Sequence, residues 1–206
     1  LGGGAEVAMS SNKMVAAADL YMGLVEVGVG LIPGGGGTML LLRNWQGYIP
    51  KKAEIRDLTP FVQPVFESIA MARTSNSAAE AREMGFLRPQ DKILFNRDHL
   101  IAEAKREVLA MAMAGFKPPE KAKLRVMGEN FRGMVNAVLY NMTKGNYATE
   151  YDAFIARKLA WVLSGGDVPE NSLVSEEDIL ALERQVFVEL CAEKKTQERL
   201  EHMLKT

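Results

Sequence analysis

The chain has 206 residues, 48 % hydrophobic and 25 % charged, with 25 basic against 26 acidic residues and a formal net charge of −1. That length supports a real buried core, and the charge balance argues against nucleic acid or an anionic membrane as partner, since both select a basic surplus. The single cysteine, Cys191, excludes a disulfide within the chain, and no apolar run reaches the roughly 18 residues of a spanning helix, so a reducing, cytoplasmic setting is expected.

The first 42 residues form an apolar, glycine-rich zone. "LGGGAE" reads as a tight turn entering a short helix, and its start inside a glycine run suggests a piece of a longer chain. "KMVAAA" and "LYMGLVE" read as two short strands with a turn at Asp19. A second glycine run, Gly34 to Gly37, leads into "TMLLLRNW", an apolar stretch suited to a buried helix.

Residues 44–64 carry three prolines and mixed charge and read as a connector or insertion. Helical patterns follow in "FVQPVFESIAMARTS" and in "SAAEAREMGF", where Ser77 is placed to cap and Gly85 to stop. "FLRPQDKILF" suits a short strand and "RDHLIAEAKREVLAMAMAGF" an amphipathic helix ending at Gly115. "KPPEK", at 117–121, marks a boundary between a region 1–116 and a helical region 117–206. Helices are expected around 123–143 and 149–163, then a loop, then one long helix capped by Ser175 with Ile179, Leu182, Val186 and Leu190 on its apolar stripe.

Two carboxylates draw chemical interest. Glu6 follows a glycine turn whose backbone N–H groups lack intrahelical partners, and such donors can hold a developing oxyanion. Glu26 sits among Leu24, Val25 and Val27, where desolvation raises a carboxyl toward the range of a general acid. Each also has an ordinary alternative: a helix-start glutamate behind a flexible glycine terminus, and an edge-strand glutamate pointing to water.

Other signals are bland. The Gly34–Gly37 run lacks the lysine of a phosphate loop, and no GxGxxG follows a strand. His99 and His202 are isolated, so no metal cluster is visible. Met111, Met113, Met127 and Met134 read as core filling, and Lys194 and Lys195 as a solvated helix face.

The joint pattern resembles the crotonase, or enoyl-CoA hydratase/isomerase, superfamily. The resemblance lies in "LGGGAEVAMSSNKMVAAADLYMGLVEVGVGLIPGGGGT" and "ARTSNSAAEAREMGFLR": a glycine triplet, a glutamate, a second glutamate twenty positions on, then a proline–glycine loop. The helical tail from "LAWVLSGG" onward looks like fused β-oxidation proteins that join a 3-hydroxyacyl-CoA dehydrogenase to a crotonase domain.

The resemblance implies an α/β fold, the C-terminal part of a crotonase-like spiral, mainly helical with a few short N-terminal strands. It implies that Gly3 N–H is one of two oxyanion donors to an acyl-CoA thioester. Glu6 and Glu26 would be the hydratase carboxylate pair, and Gly34 would help position the attacking water. Lys194 and Lys195 would touch coenzyme A phosphates. It implies no cofactor in these residues, with NAD bound by an N-terminal part of the same polypeptide, and a homo-oligomer. An isomerase of the same fold often uses one carboxylate; a non-catalytic helical docking module is the rival from another class. With the early strands of the spiral absent, residues 1–42 are expected to expose apolar surface and to associate between chains or be partly disordered.

Overall fold

The structure, a computed structural model, describes residues 1–50 and 57–205. The glycine run opens helix α1 (Gly3–Ser10), followed by strand β1 (Val15–Ala17), a 3-10 turn (Glu26–Val29) and α2 (Gly37–Gln46). Then come α3 (Thr59–Ala70), α4 (Ala78–Glu83), β2 (Lys92–Leu94) and α5 (Leu100–Met113). The rest is β3 (Lys123–Arg125), α6 (Gly128–Lys144), α7 (Glu150–Leu163), β4 (Leu173–Ser175), α8 (Glu176–Cys191) and α9 (Lys194–Lys205).

β1 and β2 pair in parallel, Val15 opposite Lys92, so the chain needs a crossover, and α2 to α4 supply it. β3 and β4 pair antiparallel, Lys123 opposite Ser175. Among the described residues, one hydrophobic cluster draws on α1 to α4 and α6 to α8. Leu40, Leu41 and Leu42 of α2 meet Val62 and Ile69 of α3, Ile155 and Leu159 of α7, and Ile179 and Val186 of α8. Residues on both sides of 117 share that core. Of the 44–64 stretch, residues 44–46 finish α2 and 59–64 begin α3, while 51–56 lie outside the described residues.

The local stop and start signals act as read. Ser77 accepts from Glu80 N–H, and Ser175 with Asp178 forms a reciprocal capping box. Gly85 takes φ +81°, and a Cβ there would lie 2.5 Å from Trp45 Nε1, so glycine is required twice over.

Five expectations are corrected. Two strands lie where none is expected, β3 and β4, far along the chain, whereas β2 falls within "FLRPQDKILF" as read. "LYMGLVE" is not a strand; Gly23 makes an isolated bridge with Thr74 and the chain then turns at Glu26. The last helix is two, broken at residues 192–193, and Leu182 is only half-buried. Met113 is 89 % exposed and Met111 half-buried, because α5 turns its charges inward. Buried Glu103 pairs with Lys92 of β2 and with Arg106, and Glu107 reaches Lys13 at 2.6 Å. That leaves Ile101, Val108 and Leu109 of α5 on the surface.

The fifth concerns residues 1–42. Met9, Leu24, Ile32, Leu41 and Leu42 are all buried, covered by helices from later in the chain. The large apolar side chains left exposed there are Leu1, Val7 and Tyr21.

Candidate active site

The second glycine run is the centre of the arrangement. α2 starts at Gly37 with Gly36 in the left-handed region (φ +99°), which turns four successive amides, Gly35 to Thr38, outward from the helix start. None is left to solvent or to an anion. Glu6 Oε1 accepts from Gly35 N–H at 2.8 Å and Gly37 N–H at 2.7 Å. Glu183, from α8, accepts from Gly36 N–H at 2.6 Å on Oε1 and from Thr38 N–H at 2.8 Å on Oε2. Two protein carboxylates therefore occupy the cradle that a phosphate takes in nucleotide-binding loops. The residues present do not fit a dinucleotide here.

The glycines are there because nothing larger fits. A Cβ on Gly35 would sit 2.8 Å from Glu6 Oε2, and one on Gly37 2.8 Å from Glu6 Oε1 and from Leu24 Cδ2. The amides that reach Glu6 are those of Gly35 and Gly37, and Gly34, one residue before them, packs against the Phe187 ring of α8.

Glu26 lies on the other side of the α1 entry. A Cβ on Gly2 would be 3.2 Å from Glu26 Oε1, while one on Gly3 would be 3.9 Å from Glu6 Oε2, so the two carboxylates flank adjacent glycines. Both carboxylate oxygens of Glu26 are buried without a hydrogen-bond partner. Burial pushes its carboxyl above the usual range, and the charge of Glu6 adds to the rise. The Gly3 amide, at the exposed start of α1, has no acceptor among the described residues.

Glu183 escaped the sequence reading. Burial pushes its carboxyl up to about 7, against the pull of the Thr38 and Gly36 donors, and Glu6 raises it further. The signal was present: Glu183 falls on the same face of α8 as buried Ile179, Val186 and Leu190, where an unpaired acid is costly.

The Glu26 turn is strapped from behind by α9. Buried Thr196 bonds Gly30 C=O at 2.7 Å and the Tyr151 hydroxyl at 2.6 Å, and Arg199 pairs with Asp152 at 2.7 Å. Thr196→Val, equal in shape but lacking the hydroxyl, is expected to cost about 1–3 kcal/mol. Urea unfolding checks this; a midpoint equal to the wild type means that the strap carries no load. Lys194 and Lys195 start α9 and are exposed. Lys194 lies 3.8 Å from Glu198 and Lys195 stacks over Tyr151; Lys195 also lines a hollow with Gly28 and Val29 of the Glu26 turn. On the far side of that turn, Val27 and Gly28 border a cavity of about 700 Å³ whose other walls include Phe66, Phe131, Met134 and Val138.

A carnitinyl-CoA dehydratase from Mycobacterium thermoresistibile superposes with a TM-score of 0.51 over 98 % of this chain and 58 % of its own, at 22 % identity. The chain has the crotonase fold. This crotonase-like segment is also 43 % identical over 206 residues to the Bacillus subtilis (strain 168) protein named "Probable 3-hydroxyacyl-CoA dehydrogenase", matching 99 % of this chain and 25 % of that protein. A stretch of 43 residues, 21 % of the chain, is 54 % identical to the mitochondrial methylglutaconyl-CoA hydratase of Mus musculus, covering 14 % of it. The segment thus spans about a quarter of the full-length relative it matches end to end. No protein-family model matches it.

Proposed function

We propose that this segment carries the paired carboxylates of a 2-enoyl-CoA hydratase within a longer β-oxidation polypeptide. The observation that carries the reading is the contrast between Glu6 and Glu26. Glu6 is clamped by two amides on one oxygen, and no donor among the described residues reaches the other, Oε2, which suits it to accept a proton from water. Glu26 is half-buried as a residue, but its two carboxylate oxygens are enclosed and unpartnered and its carboxyl is raised, which suits it to carry a proton.

The step balances within those groups. Water oxygen bonds to C3 of the enoyl group as its proton passes to Glu6. The C2–C3 π pair moves toward the thioester, where the Gly3 amide and a second donor, from residues outside this chain, hold the oxygen. Glu26 delivers its proton to C2, and exchange with solvent resets the pair. The apolar cavity beside Val27 and Gly28 would take the acyl chain, and Lys195 is the better placed of the two lysines for a coenzyme A phosphate. Retention of both carboxylates favours hydration over double-bond isomerisation.

The dehydrogenase named for the Bacillus relative would belong to the other three quarters of such a polypeptide, and NAD with it. Assembly into a homo-oligomer in the cytoplasm is part of the same reading. A non-catalytic docking module is favoured by one observation, the apolar residues that α5 leaves exposed.

Crotonyl-CoA hydration by the full-length protein separates these. Glu6→Gln is expected to lower turnover by about 100-fold or more, the usual scale of a lost acid–base group. Because the glutamine oxygen can still accept from Gly35 and Gly37, the fold should persist, and unchanged turnover would rule out a catalytic Glu6. A full-length protein with dehydrogenase activity and no hydration makes the segment a scaffold.

A further inference from the structure

We propose that Glu183 is a positioning residue that acts through Glu6, holding the glycine loop so that two of its amides point at Glu6 and not elsewhere; the kinetic part of this rests on the hydratase reading. The four amides from Gly35 to Thr38 are consecutive and alternate in acceptor: Glu6, Glu183, Glu6, Glu183. Such alternation makes the two carboxylates joint acceptors of one continuous run of amides, so a shift of the loop that follows the loss of one changes the donor distances of the other.

Glu183 is 1 % exposed and comes from a helix more than 140 residues along the chain, so its position is set by the packing of α8 on α2. Phe187, one turn further on, fills the space above Gly34 and fixes the same loop from the same helix. Remove the Glu183 carboxylate and two buried amides lose their acceptor. The nearest other carboxylate is Glu6, which then meets four donors where it now meets two. Its clamp loosens, and the oxygen meant for water is drawn into the loop. Glu183 touches no reacting atom in this scheme, and the loop links it to the one that does.

Two measurements on the full-length protein test this. Residue-resolved amide hydrogen exchange should show that Glu183→Gln, which keeps one acceptor oxygen and turns an NH2 donor toward the other amide, speeds exchange at Gly35 and Gly37, the Glu6 donors, by about tenfold or more, together with one or both of Gly36 and Thr38. Acceleration at Gly36 and Thr38 alone overturns the proposal, since Glu6 would then hold its amides unaided. In crotonyl-CoA hydration, Glu183→Gln should lower kcat by about tenfold with KM unchanged, and by less than about twofold on a Glu6→Gln background.

Losses that multiply in the double variant overturn the proposal, because a purely structural defect adds to a catalytic one. Val186→Ala, a packing change on the same face of α8, provides that comparison: it should lower stability without selective exchange at Gly35 and Gly37. If Glu183→Gln does not fold, Glu183→Asp, one methylene shorter, should release one amide of its pair and give the same pattern at smaller amplitude. Should Glu6→Gln itself hydrate at the wild-type rate, the catalytic reading fails, and the exchange pattern alone decides whether Glu183 positions Glu6.

Discussion

Replacing Glu26 by leucine is expected to raise the melting temperature of the protein and, on the hydratase reading, to abolish crotonyl-CoA hydration. Both carboxylate oxygens are enclosed with nothing to accept from, and burial already lifts the carboxyl above its ordinary range. A polar group in that state costs about 1–3 kcal/mol, and leucine of similar volume removes the cost. For a unit of this size each kcal/mol corresponds to roughly 2–4 °C, so a rise of several degrees is expected in thermal unfolding. On the hydratase reading proposed above, activity should fall by about 100-fold or more, since Glu26 is then the group that protonates C2. An enclosed, unpartnered acid beside a second carboxylate is a group that function, rather than folding, would retain. A variant that loses stability together with activity would instead make Glu26 a packing residue.

How much of the site could be read from the chain alone depends on whether the informative neighbour was near in sequence. Glu6 and Glu26 stand out as candidates in the sequence because each lies beside its own glycine turn, and the apolar run around Glu26 announces desolvation without any tertiary knowledge. The partners of Glu6 do not. Gly35 and Gly37 reach it across about thirty residues, and nothing in "PGGGG" says which amide points where. Glu183 shows its place on the apolar stripe of α8 in the sequence, beside Ile179 and Val186, but not its partners. An acid within a helical stripe is usually read as a boundary of the apolar face, and only the arrival of α2's open N-terminus makes it a buried acceptor.

The fold divides in the same way. Caps and stops such as Ser77, Ser175 and Gly85 involve contacts within a few residues and were read correctly. The helix of residues 100–113 was also evident from its period, but its orientation was not. Its apolar residues suggested an inward stripe, whereas the ion pairs of Glu103 and Glu107 with Lys92 and Lys13 hold the opposite face to the sheet. "LYMGLVE" has strand-forming composition, yet it makes a single bridge, Gly23 with Thr74, before the chain turns at Glu26. In each failure tertiary contact overrode a correct local preference.

The same buried acid gives a pH dependence of unusual sign. The folded-state pKa of Glu183 is raised from 4.5 to about 7, so between those values the native state binds more protons than the unfolded chain. Its contribution is fully present below 4.5 and is lost as the pH rises through about 7. At roughly 1.4 kcal/mol per unit, the loss across that window is on the order of 3 kcal/mol. Glu26, also raised, acts in the same direction. The lowered acids, among them Glu107, Asp152 and Asp178, act below their ordinary values of 3.8 to 4.5 and lose stability as the pH falls. Lys92 and Lys121, raised from 10.5, matter only above that value. Between pH 5 and 8 the two buried glutamates therefore dominate these shifts, and urea midpoints should be higher at pH 5 than at pH 8. Glu183→Gln, whatever it costs in absolute stability, should flatten the slope, because the group that takes up the proton is gone. An unchanged slope in that variant would mean that Glu183 stays charged in the folded protein and that its amide donors fully offset its burial.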